Sequence, residues 1–541
     1  MNKIEAFLID GVNNLTQKQI VKVKRSLMVA LVPNCCLPVD QKTDKIIQEL
    51  LAAYPGFIDE NLLSWVDSLL LPTSGGVMKP DPAKRIEGVK RFVITSAQNN
   101  TDVNAPFLDA LENYAQFMDA EILIGQFVYN KNGFQNGVHD DNEIWFDPRL
   151  QDYFVTESIQ LADGLLFCGE LNILPTAKRP LSGLAEYGGT NSIIVPHAKL
   201  ALESIPTAKN KPAKLEYTTG CITQSNYIEK KTGQIAKSQH SYSALIVEIA
   251  DSGNWFVRQL VSDETGQFYD LDGYFDKNGY QGRHWASGIV LGDIHAEKSD
   301  QSVLDCVSDL LDDVTDDNTK LVIHDLYDHE SRNHHNRDSG HFLITQHGKT
   351  VEGDVKKAIE LLNNLGDYQK IIVRSNHDDA LDRWLNDRRY DWRSDTVNTV
   401  FYLELQSAYY NQLINGFENP NALEIAIDSL TVGSNDFKWL KLDDSYLISG
   451  IEVANHGHVG ANGSRGNPNQ FAKTSIPMIT GHTHSASIRD HVFTVGVTGS
   501  LNMGYNKGMS SWSHSHCIIW PNGKRQMITM QQNGDNWEYR A

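Results

Sequence analysis

Five short apolar runs in the second half of the chain end in residues of one chemical kind. Gly288–Leu291 is followed by Gly292-Asp293-Ile294-His295, and Leu321–Ile323 by His324-Asp325-Leu326-Tyr327-Asp328. Ile371–Val373 is followed by Arg374-Ser375-Asn376-His377-Asp378. Tyr446–Ile451 leads to Asn455-His456-Gly457-His458, and Ile476–Thr480 to Gly481-His482-Thr483-His484. Mixed imidazole and carboxylate donors suit Mn²⁺, iron or Zn²⁺. The absence of thiols and the amide oxygen of Asn376 tilt away from a structural zinc site. One such turn is routine, because Asn-His-Asp-Asp can simply cap a following helix at Ala380–Leu385. Five in succession exceed what packing asks for.

To act together these residues must be brought to one edge. The runs read as short buried strands, with helices at Val303–Val314 and Val355–Leu365 between them. Five strands of one sheet would converge their C-terminal ends on a common crevice, where α/β proteins bind ligands. The segment 287–541 is therefore read as an α/β domain. Residues 76–286 are read as a second α/β domain, with runs at 91–95, 122–124, 164–167, 192–195 and 244–249 and a helix at Ala105–Phe117. His197 and Cys221 in it read as satisfied core or loop residues. The Gly-rich stretch 269–282 reads as a connector. Residues 1–75 read as helical, with caps at Thr16 and Thr43. Lys18, Lys22, Lys24 and Arg25 admit a helix-turn-helix, although a basic amphipathic helix is more often a solvated face. No internal repeat is legible.

The order D-x-H, D-x-x-D, N-H-D, H-G-H and G-H-x-H resembles the calcineurin-like metallophosphoesterase superfamily across 287–541. The resemblance implies a four-layer αββα sandwich holding two divalent metals. Carried over by position, Asp293, His295 and His484 hold the first metal. Asn376, His456 and His482 hold the second, and Asp325 bridges both. His377 is the acid beside the scissile phosphate, with Asp378 as its orienter or as a cap of the next helix. Two cations about 3.5–4 Å apart can share a hydroxide that attacks phosphorus. An imidazole near the leaving oxygen supplies the proton. The superfamily places Gly before the bridging Asp and before Asn-His. Here His324 and Ser375 stand there, which leaves the local backbone open. The loop 328–341 carries Arg332, His335 and Arg337, read either as phosphate contacts or as a polar surface. Arg374 belongs to a basic cluster with Lys370, Arg383, Arg388, Arg389 and Arg393 that could contact a substrate strand. Tyr390, Trp392, Tyr505 and Trp512 could stack on unpaired bases, but such aromatics are more often core.

Composition bounds the rest. The chain has 541 residues, 40% hydrophobic and 21% charged, which is ordinary globular material for two or three domains. No apolar run reaches the length of a membrane span, and the N-terminus lacks a secretory pattern. Six scattered cysteines without a C-x-x-C pair point to a reducing compartment. The net charge of −20 opposes non-specific association with nucleic acid, so any such contact needs local cations.

The layout of a large α/β region ahead of a C-terminal phosphoesterase also resembles proteins of large tailed bacteriophages. The nearest such group is the pre-early host-DNA-degrading nucleases of T5-like phages. That resemblance implies a Mn²⁺-dependent DNase in the cytoplasm of the infected bacterium, with Mg²⁺, Fe²⁺ or Zn²⁺ as other metals. DNA and further copies of the chain are the expected partners. A phosphoesterase for nucleotides or other small esters is the alternative. A DNA- or host-protein-binding protein with a secondary metal site is the third.

Overall fold

The computed structural model describes residues 84–129, 131, 144–333, 340–346, 348–431 and 437–541. The helical reading of 1–75, with its helix-turn-helix alternative, lies outside them, as do His335 and Arg337. The protein is a mixed α/β chain whose residues 80–541 form one compact unit.

Three sheets carry it. The largest has eleven strands, drawn from both α/β segments. Its first six are β1 (Lys84–Arg85), β5 (Ser158–Ala162), β6 (Leu165–Cys168), β7 (Ser192–Val195), β9 (Lys214–Thr218) and β8 (Leu202–Ile205), in that spatial order. It continues through β22 (Ser487–Arg489), β23 (Val492–Thr494), β21 (Met478–Thr480), β20 (Ile451–Glu452) and β19 (Leu447–Ile448). The join is the antiparallel contact of β8 with β22 at Leu202 and Ile488. A second sheet has the order β11 (Trp255–Val261), β10 (Ser243–Ile249), β2 (Arg91–Gln98), β3 (Glu121–Phe127), β4 (Phe154–Val155). The third runs β18 (Phe437–Leu440), β17 (Gln369–Val373), β16 (Lys320–His324), β15 (Gly288–Val290), β24 (Ser515–Ile519), β25 (Arg525–Thr529).

The strand sequences explain this layering. Successive side chains alternate between faces. On β15 and β16, Ile289, Leu321 and Ile323 face a core shared with helices α1 (Gln301–Val314) and α2 (Val351–Asn364). Val290 and Val322 face the opposite way, into a core shared with Ile448, Ile479, Ile488 and Phe493 of the large sheet. Runs that are apolar on both faces are what strands covered on both sides require. The same core takes Phe92 and Ile94 of β2 and Leu245 and Val247 of β10. One apolar layer thus lies between the large sheet and both smaller ones.

Three expectations are corrected. The five motif-bearing runs belong to two sheets: β15, β16 and β17 lie in one, β19 to β21 in the other. Periodicity shows which residues are buried but not which strands pair. The run Tyr446–Ile451 is not one strand but a tight hairpin, turned at Ser449 (φ 47°) and Gly450 (φ 80°). The stretch 269–282 is no bare connector. It holds most of a three-stranded sheet, β12 (Phe268–Asp270), β13 (Gly273–Asp276) and β14 (Gly279–Arg283).

A repeat is present after all, in topology. The order β11-β10-β2-β3-β4 matches β25-β24-β15-β16-β17, with the same parallel and antiparallel pairings. The order β5-β6-β7-β9-β8 likewise matches β19-β20-β21-β23-β22.

Candidate metal centre

The parallel strands β15, β16 and β17 end on one edge, and each carries its motif just past its last residue. β20 and β21 deliver His456, His482 and His484 from the facing sheet. The backbone turns sharply to do so. His295, Asp325, His482 and His484 all have left-handed φ, between 44° and 74°. Such conformations are costly for non-glycine residues and gather at functional sites. His324 and Ser375, which replace the glycines of the resembled pattern, are not among the positive-φ residues, so glycine is not required there.

Asp293, His295, Asp325 and His484 are all buried, with one donor atom from each lying within 4.8 Å of the others. His484 Nε2 is 3.1 Å from Asp293 Oδ2 and 3.1 Å from His295 Nε2. Asp325 Oδ2 lies 3.2 Å from His456 Nε2 and 3.8 Å from His295 Nε2, between the two groups of imidazoles. His456 Nε2 also meets Asn376 Oδ1 at 3.1 Å. The ring of His482 lies 5.2 Å from that of His456, and the backbone N–H of His482 donates to Asp293 Oδ2. Asp293 Oδ1 and Asp325 Oδ2 are buried oxygens that accept no hydrogen bond. A buried carboxylate without a donor is costly unless a cation faces it. The donor set therefore fits divalent cations, with Asp325 placed to touch two.

The charges follow the same geometry. Burial alone would raise the Asp325 carboxyl, but His456 and His377 hold it well below the ordinary range. For His377, burial would lower the ring, yet Asp325 and Asp328 raise it to about 9.

His377 reaches this edge, but its ring is anchored by Asp328 rather than Asp378. His377 Nδ1 lies 2.5 Å from Asp328 Oδ1, and the same oxygen is 3.3 Å from His295 Nδ1. Asp378 accepts from Tyr327 N and Ser375 Oγ, so it braces two strand-end turns. Sequence reasoning missed Asp328, although it is the second Asp of D-x-x-D. It also missed Glu297, a half-buried carboxylate that accepts from the backbone N–H groups of Asp328 and His329.

Two expected substrate contacts lie elsewhere. Arg332 forms a two-pronged pair with Asp395 at 2.5 and 2.8 Å. Arg374 pairs with Asp379 at 2.7 Å and Asp382 at 3.4 Å. Both guanidinium groups are occupied within the protein. Of the expected stacking aromatics, Trp512 packs edge-on against His484 with centroids 4.2 Å apart, and Tyr505 lies 6.4 Å from His377. Tyr390 donates to Asp395. His197 is fully buried, bonded to Leu174 O and Lys199 N, and burial lowers it to about 4.

Fold and site together define a mixed α/β protein with a buried aspartate–histidine cluster able to hold metal ions. The chain belongs to the family of Protein A1 of Escherichia phage T5. The two are 42% identical over 460 residues, covering 81% of each chain. No protein-family model and no solved structure matches the chain. Among the described residues, no helix is long and apolar enough to cross a membrane.

Proposed function

We propose that the protein is a two-metal phosphodiesterase that cuts host DNA in the cytoplasm of a phage-infected bacterium, built on a metallophosphoesterase-type sandwich. The observation that carries this reading is the placement of Asp325 Oδ2, buried without a hydrogen-bond donor between His456 and His295. In this reading Asp293, His295 and His484 hold one cation, Asn376, His456 and His482 hold the other, and Asp325 serves both. When bound, the two cations, Mn²⁺ in the first instance, neutralise the phosphodiester and activate the attacking water. His377 donates a proton to the leaving oxygen, and Asp328 fixes the ring by its Nδ1 so that Nε2 is the donating atom. Trp512 and Tyr505 stand beside His484 and His377, where their rings could stack on an unstacked base. Association into a homo-oligomer belongs to the same reading.

The net charge of −20 favours a second reading, in which the substrate is a nucleotide or another small phosphoester. Digestion of linear and circular double-stranded DNA separates the two. The assay compares Mn²⁺, Mg²⁺, Zn²⁺ and chelator, with Asp325→Ala and His377→Ala beside the unaltered protein and bis-p-nitrophenyl phosphate as a small control. Metal-dependent cutting of DNA that Asp325→Ala abolishes is the expected result. Turnover of the small diester with DNA untouched would overturn the nuclease reading. Undiminished cutting by Asp325→Ala would overturn the metal assignment. Sedimentation of the purified chain tests the assembly.

A further inference from the structure

The half of the chain that repeats the site-bearing topology has lost the means to hold a metal. Ile94 of β2 pairs with Leu123 and Leu245, as Val290 of β15 pairs with Val322 and Cys517. Past β15 the backbone takes in one extra residue, so that Asn99 N donates to Phe127 O as Ala296 N donates to Leu326 O, and Ile222 N donates to Ser96 O as Thr498 N donates to Asp293 O. Ser96 thus stands where Asp293 stands, and Gln126 stands where Asp325 stands. After β7, Ala198 O accepts from Ser241 N, as His484 O accepts from Ser513 N after β21. Two carboxylates and an imidazole thus have a serine, a neutral amide and an alanine in their places. Among the described residues, every cluster of metal-type donors lies in the second half.

Beside this altered turn lies a cleft of another character. It has a volume of about 320 Å³ and is lined by Lys178, Arg179, Lys199, Lys473 and Arg489. An adjoining cleft of about 470 Å³ shares Lys199 and adds Lys524 and Arg525. Both lie where the turn after β7 meets the β22–β23 hairpin, at the end of β22 away from His484. Of the two carboxylates lining these clefts, Glu203 pairs with Arg489 at 3.3 Å, and Asp490 accepts from the neutral Gln239 at 2.7 Å and keeps its charge near Lys199. Lys199 Nζ donates only to Ala177 O, and Arg525 donates to Met478 O and His491 O. Among the described residues, neither forms an ion pair, nor do Lys178, Lys473 or Lys524. Burial accordingly lowers Lys199 and brings Arg525 down to about 10. A chain of net charge −20 has gathered seven cations against two carboxylates in one concave place, and Lys199 among them is buried. A buried cation without an ion-pair partner is costly, and an anion bound beside it would offset that cost. Ammonium and guanidinium groups together match phosphate oxygens.

We propose that the cleft between the turn after β7 and the β22–β23 hairpin binds the phosphate of a nucleotide, free or within a strand, without metal. The metal-free repeat then serves as a phosphate anchor for the metal-bearing one. The phosphate chemistry rests on the cleft alone, and the nucleotide identity rests on the function proposed above.

The test uses the full chain in excess chelator, so that neither hydrolysis nor the metal centre contributes. Inorganic phosphate, dAMP and a fluorescein-labelled 12-nucleotide single strand are titrated separately by calorimetry or anisotropy. Lys199→Gln and Lys473→Glu are compared with the unaltered protein. The expected result is saturable binding of at least one probe, weakened tenfold or more by either substitution. A strand that binds while dAMP does not identifies the source as nucleic acid, and the reverse identifies a free nucleotide. Both uphold the site. Lys473 is exposed, so Lys473→Glu carries the test if Lys199→Gln fails to fold. Binding unaltered by Lys473→Glu, or no binding of any probe, would overturn the proposal. A protein that binds phosphate in this way yet cuts no DNA keeps this site and loses the nuclease reading.

Discussion

His377 Nδ1 and Asp328 Oδ1 lie 2.5 Å apart, and that same oxygen is 3.3 Å from His295 Nδ1. One carboxylate therefore orients both the proposed proton donor and a proposed metal ligand. Partners of this kind fix which ring nitrogen is free, and losing one costs about 10- to 100-fold in metal affinity or activity. Asp328→Asn is expected to lower kcat on a phosphodiester by that factor, with KM little changed. Asp378→Asn touches neither ring and is expected to lower thermal stability more than kcat. Equal kcat losses in the two variants would show that Asp328 has no special part.

Metal removal offers an independent readout. A cation that binds only the folded chain stabilises it by about 2.7 kcal/mol when present at one hundred times its dissociation constant. Chelation is expected to lower the unfolding midpoint, and Mn²⁺ to restore it. Asp325→Ala and His456→Ala should each bind less metal by elemental analysis and lose that response. A midpoint insensitive to chelator in the unaltered protein would count against a bound cation.

Gly481 sits against the cluster. A Cβ placed there would lie 2.1 Å from Asp293 Oδ1 and 3.4 Å from His324 Cβ. Gly481→Ala must therefore displace the Asp293 carboxylate or the turn that carries His482. Overpacking of this sort costs about 1–3 kcal/mol. The expected outcome is a folded protein with reduced metal content and activity. Gly340→Ala meets nothing within 4 Å and serves as the control. Full metal occupancy in Gly481→Ala would show that the close approach is relieved elsewhere.

The strand tips were legible because chemistry-bearing residues follow short β-branched runs, and a run such as Lys370–Val373 has few other uses. The meeting of Asp293, His295, Asp325 and His484 in one buried cluster followed from that order. The sharing of one large sheet by the two halves was not legible, because Leu202 and Ile488 carry no mark of being partners. The repeat was hidden for a related reason. Its ladders are preserved, but Ser96 and Gln126 stand where Asp293 and Asp325 would align, so no shared motif marks it. Asp328 was missed because D-x-x-D does not tell which carboxylate turns toward a ring. The pairing of Arg332 and Arg374 with acids of the protein was not legible, because Asp395 is distant from Arg332 and nothing marks Asp379 and Asp382 as partners of Arg374.

Glu216 provides a pH test away from the metal centre. Its side chain is fully buried, both carboxylate oxygens lack hydrogen-bond donors, and its ion partner Lys214 stands 3.8 Å off. Burial raises the carboxyl from 4.5 to about 7, against the opposing pull of Lys214. A carboxyl that holds its proton more tightly when folded favours the folded state fully below pH 4.5. That contribution is lost as pH rises through 7. Glu216→Gln keeps the shape and removes the titration, while Lys214 Nζ retains Ala185 O and Gly189 O as acceptors. The variant is expected to gain on the unaltered protein between pH 4.5 and 7 and to hold a constant advantage above that, of about 3 kcal/mol at most. Urea unfolding of the metal-free proteins at half-unit pH steps measures the difference. A difference that stays flat across this window would mean that Glu216 is ionised in the folded chain and stabilised by Lys214 after all.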